Sequence, residues 1–154
     1  MFVAHVGHAT PPPARLWFAI AVVAGLLAAL VMNLSMATLS TGYVPATVAT
    51  SILQGTLPSQ VSRRSVVLVH HAFGPLVGSV YAALGVGLDL GLPAIARVAG
   101  LSMAAHIVAS LLVVVGIHGV FAWVVLPRYG GEARDRAAVV RRHWLASTAV
   151  FGRV

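Results

Sequence analysis

The chain contains no cysteine, which excludes disulfides, zinc–thiolate and iron–sulfur sites, and a thiolate nucleophile. It contains no lysine, and all ten of its basic residues are arginine. Charged residues make up 8% of the 154 and hydrophobic ones 59%, against about 25% charged in a soluble domain. That leaves too little polar surface to wet a globule, so lipid must supply part of the solvent. The three acidic residues, Asp89, Glu132 and Asp135, all lie outside the long apolar runs. A carboxylate proton relay or cation site at membrane depth is thereby excluded. The sequence also lacks a glycine-rich phosphate loop at a strand–helix junction, a pair of acid/base carboxylates and a serine elbow.

What is present is apolar length. Residues 16–39, 66–88 and 94–126 each exceed the about 20 residues a helix needs to cross a bilayer. The sequence therefore predicts an all-α integral membrane helical bundle, with three transmembrane helices in a single membrane domain over residues 1–154. Residues 1–14 carry no Lys or Arg, so the first run reads as a retained span and not as a cleaved signal. His5 and His8 in that lead-in form a weak metal-binding pair, and the plainer reading is a solvated tail.

Small residues recur every fourth position in the first span, at Ala21, Gly25, Ala29 and Asn33. This makes one smooth stripe for close helix approach, with Asn33 as an interhelical hydrogen-bonding group. In the second span His71, Gly74, Gly78 and Gly85 share a face, and Pro75 predicts a weakened or kinked helix. Residues 45–54 predict a short amphipathic loop helix, opened by Pro45 and stopped by Gly55. Its Val44, Val48 and Ile52 face is expected to lie flat on the membrane. The short turn at 89–93 makes spans two and three an antiparallel hairpin. Asp89 is expected to cap or end a helix there, and Arg97 to snorkel from the first turn of span three.

The tail, 127–154, holds six of the ten arginines. Ala137, Val140, Trp144, Thr148 and Phe151 form an apolar stripe, so the tail reads as an amphipathic helix, either interfacial or as the start of a fourth, short span. Loop one and the tail hold eight arginines, against Arg15 and Arg97 on the other side. The positive-inside rule then predicts a multi-pass protein of the cytoplasmic membrane, with the N-terminus outside and the tail in the cytoplasm. The net charge of +7 reads as this orientation signal and not as a nucleic-acid surface.

The titratable groups at membrane depth are His70, His71, His106 and His118. His71 and His118 lie at matching depths on the two arms of the hairpin. One haem b could therefore be clamped between His70 or His71 and His118, since neutral imidazoles suit iron as axial ligands. The plainer expectation is no cofactor, with each His bonded to a neighbouring carbonyl or hydroxyl.

The stretches AVVAGLLAALVMNLSM, YVPATVATSILQG and LVHHAFGPLVGSVYAAL resemble the YagU-like group of small bacterial and archaeal membrane proteins. The pattern H-x-x-x-G-x-x-x-G-x-x-Y falls here on His70 or His71, Gly74, Gly78 and Tyr81. That resemblance implies four spans and carries no catalytic residues with it. In length and span number the chain also resembles the haem-b anchor subunits of quinone-linked respiratory complexes, although the fuller anchor motif is absent. The functional expectation is a non-enzymatic structural or accessory membrane protein, packing with itself as a homo-oligomer or with a larger membrane complex. The alternatives are a haem-b anchor, a non-catalytic subunit of an oxidoreductase, and, more weakly, a small transporter.

Overall fold

A computed structural model describes residues 14–93, 96–98 and 100–152, so His5 and His8 lie outside the described part. Three apolar rods dominate it. They are α1 (Ala14–Thr38), α3 (Arg63–Asp89) and a continuous helix from Met103 to Tyr129. The last comprises α4 (Met103–Gly119), a π-helical turn (Val120–Val125) and α5 (Leu126–Tyr129). At about 1.5 Å per residue, each outreaches a hydrocarbon core of about 30 Å. The fold is thus all-helical, with three helices long and apolar enough to cross a membrane.

The third of these starts later than the hydropathy run suggests, at Met103 and not near residue 94. Residues ahead of it fold back as a small hairpin, with β1 (Arg97–Val98) antiparallel to β2 (Leu101–Ser102). Gly100, at φ 90°, makes the reversal that a side chain would resist. Ser102 then caps α4 by accepting the Ala105 N–H at 3.1 Å. Asp89, the last residue of α3, ties the hairpin down. Its Oδ1 accepts the Ser102 N–H at 2.7 Å, and its Oδ2 lies 3.2 Å from Arg97. Arg97 is therefore an ion-pair partner in a strand and does not snorkel from a helix.

α1 and α3 pack antiparallel through backbone. A Cβ at Gly25 would strike the Gly74 carbonyl, one at Gly74 the Gly25 carbonyl, and one at Gly78 the Ala21 carbonyl. The small-residue stripe of α1 is thus consumed inside the chain. Further along, Gly85 faces Leu101 and Trp17. α3 continues through Pro75 to Asp89 as one helix. Asn33 bonds not to a facing span but to Tyr43 at the head of the loop, whose hydroxyl donates to Oδ1 at 2.6 Å.

α2 (Val44–Gln54) has Pro45 in its first turn and stops at Gly55, at φ 62°. Val48 is buried and Val44 packs on the same core, so this side of α2 faces protein and only Ile52 is exposed. The core at this end is built around Met32, Met36, Val48, Phe121, Leu126 and Val140. A smaller cluster of Trp17, Ala21, Ala82 and Leu101 closes the hairpin end.

α6 (Ala137–Phe151) packs as a fourth helix against α1 and α4. Val140, Trp144 and Thr148 are buried, Ala137 and Phe151 pack on the same core, and Trp144 meets Phe121 edge-on at 5.5 Å. The docking has a cause in the sequence. Pro127 has no N–H, and the Leu126 N–H reaches back five residues to the Phe121 carbonyl. The Ala122 carbonyl is left without a helical donor, and Arg141 of α6 supplies one from Nε at 3.0 Å. The same guanidinium lies 4.1 Å over the Trp123 ring.

Candidate functional site

Two cavities lie along the inner faces of α3 and α4. The first, at the hairpin end, has a volume of ≈ 370 Å³ and is lined by Trp17, Tyr81, His106 and Ser110 over a floor of small α1 residues. The second, of ≈ 580 Å³, runs towards the loop-one end between α3 and α4. It is roofed by α2 and backed by Met32 of α1 and Trp144 of α6.

The polar end is held by a chain of hydrogen bonds whose directions follow, for a neutral imidazole, from the carbonyl at its base. His106 Nε2 lies 2.8 Å from the Val98 carbonyl, which can only accept, so Nε2 carries the proton. In the neutral ring Nδ1 is then bare and accepts the Tyr81 hydroxyl at 2.6 Å. Trp17 packs edge-on against His106, with ring centroids 5.4 Å apart. The small β-hairpin therefore orients the imidazole, the imidazole orients the phenol, and the phenol oxygen is left as an acceptor with the Ser110 hydroxyl as a donor beside it.

Sequence reasoning passed over this pair because it started the third span near residue 94, whereas α4 starts at Met103 and holds His106 in its first turn, level with Tyr81 of α3. Helical phase separates this pair from His71 and His118. His71 lies ten residues from Tyr81 and His118 twelve from His106. At about 100° per residue these offsets rotate them roughly 80° and 120° away from the faces that meet.

The candidate haem ligands are accordingly dispersed. His70 faces α1 and donates from Nε2 to the Ala29 carbonyl at 3.0 Å. His71 donates from Nδ1 to the Val67 carbonyl of its own helix at 2.8 Å, leaving Nε2 buried and without a partner among the described residues. His118 follows Val114 by one helical turn, on the face that meets Gly152 of α6, and its Nδ1 is likewise buried and unpartnered among those residues. Of the three, only His70 lines the space between α3 and α4. Two axial nitrogens are not presented across one gap, so the residues do not fit a bis-histidine haem. Among the described residues, no cluster of three His, Asp or Glu is close enough to hold a metal ion.

Comparison of the chain with protein-family models, curated proteins and solved structures found no match. The likeness to the YagU-like group thus rests on its sequence motifs alone.

Proposed function

We propose that the chain is a non-catalytic integral membrane protein that acts through helix packing, as a structural or accessory subunit joined to further copies of itself or to a larger membrane complex. The observation that carries this reading is the outward face of α1. Leu16, Ile20, Val23, Leu27, Leu30 and Leu34 follow one another at alternating steps of four and three, and each is exposed. A surface facing lipid needs only to be apolar. A repeat of 3.5 residues in branched side chains is what knobs-into-holes packing against another helix needs. The small-residue face cannot serve this purpose, because α3 already occupies it.

The test is the mass of the full chain purified in a mild detergent, read by light scattering. The expected particle contains more than one 15.9 kDa copy, or a co-purifying subunit. Replacing Ile20, Leu27 and Leu34 together by Ala is expected to release the single chain. A strictly monomeric wild-type particle with no companion overturns the reading.

A further inference from the structure

The lateral cavity opens to hydrocarbon. Leu76, Val80, Leu112 and Val120 line it, are exposed, and belong to the long apolar rods, so its mouth faces sideways into the bilayer. The hairpin-end cavity is its neighbour. Val77, Val113, Val114 and Phe151 belong to the walls of both and form a partition of apolar side chains between them. Only this layer of side chains separates a polar pocket at the hairpin end from an apolar groove that reaches the other half of the bundle.

We propose that the two cavities bind a single uncharged long-chain amphiphile that carries a hydroxyl. The hydroxyl sits on Tyr81 Oη and Ser110 Oγ, and the hydrocarbon chain passes the partition into the groove between α3 and α4.

Hydrogen-bond direction selects the head group. His106 is satisfied on both nitrogens, and the Tyr81 proton is committed to it. The phenol oxygen has two lone pairs; the Ser110 hydroxyl beside it takes one, and the free capacity that remains is acceptance, so the head must donate. The Ser110 oxygen, in the same wall, still accepts and gives the head a second partner. Trp17 Nε1, in the same wall, is a buried donor with no partner among the described residues, so a hydroxyl head can accept there as well as donate to Tyr81, whereas a carbonyl head can only accept. A charged head meets no counter-ion among the described residues, because neither cavity wall contains a carboxylate or guanidinium among them, and Asp89 and Arg97 are paired with each other outside. Burying an unpaired charge is strongly unfavourable.

The lining selects the tail. The groove of ≈ 580 Å³ is walled by apolar side chains of α3 and α4, and a hydrocarbon chain is thin enough to lie along it. Water suits neither its walls nor its mouth, since an apolar cavity stays dry.

The experiment uses the full chain in phosphatidylcholine vesicles with a hexadecanol analogue bearing a diazirine near the chain end. On irradiation, saturable labelling is expected within residues 73–84 and 112–121. Excess hexadecanol should abolish it, and hexadecyl methyl ether, which cannot donate, should compete at least about fivefold less well. Ser110→Ala and Tyr81→Phe should each weaken the saturable labelling. Val113→Phe, which enlarges the partition, should shift the label out of the groove. Ser110→Ala keeps the result decisive if Tyr81→Phe disturbs folding. Non-saturable labelling, or equal competition by alcohol and ether, overturns the proposal, for then bilayer chains simply fill the groove and water fills the polar pocket.

Discussion

Gly78 lets α3 lie directly on α1, and the cost of changing it follows from what it touches. A Cβ there meets the Ala21 carbonyl, which is backbone and cannot swing aside. Gly78→Val is therefore expected to cost about 3 kcal/mol or more, at or above the top of the usual overpacking range. Gly116 is the contrast, since a Cβ built there meets nothing. Gly116→Ala removes a helix-interior glycine and is expected to stabilise by about 0.5–1 kcal/mol. Thermal unfolding of both variants in one detergent checks the pair. If both move the midpoint in the same direction, the packing described here is wrong. At this scale the sequence was partly legible. Residues every fourth position in α1 and α3 point to a close face without the partner being known. The Tyr81–His106 bond was not, because it depends on where α4 starts and on a helical phase, and hydropathy supplies neither.

Among the elements, α6 is tied to the third rod by one side-chain latch. Arg141 reaches the Ala122 carbonyl, which Pro127 and the π-turn leave without a helical donor. Removing it leaves the Ala122 carbonyl unsatisfied, a loss of about 1–3 kcal/mol, and removes the guanidinium from Trp123. Arg141→Gln is expected to loosen α6, and limited trypsin digestion should then cut after Arg136 and Arg142 several-fold faster than in the wild type. Unchanged digestion would show that the stripe of Val140, Trp144 and Thr148 holds α6 by itself. The stripe was visible in the sequence because its apolar spacing is helical. The latch was not, because a π-turn changes hydrogen-bond register without changing hydropathy. The late start of the third rod escaped for a similar reason. Residues 96–102 are apolar enough to extend a span, and the reversal at Gly100 and the cap at Ser102 are backbone events.

For the whole molecule, the absence of cysteine makes orientation directly testable. Single cysteines at Ser59, in the loop before α3, and at Gly91, in the turn after it, report opposite faces. The arginine distribution predicts that a membrane-impermeant maleimide labels Gly91→Cys in intact cells and labels Ser59→Cys only after permeabilisation. The reverse pattern would place the polar pocket on the cytoplasmic side. Three apolar rods and their hairpin connection were legible from length and composition alone. Which faces meet was not, because packing between apolar helices depends on shape, and shape is what average hydropathy discards.

The backbone seam between α1 and α3 also limits how the molecule can move. With carbonyls resting against glycines, neither helix has a side-chain layer through which to slide or rotate, so the two behave as a single strut. Any breathing that widens the groove must come from the other wall, where α4 would have to pivot on the pinned β-hairpin at one end and bend at its π-turn at the other. Such gating would be one-sided, with a fixed jaw and a moving one.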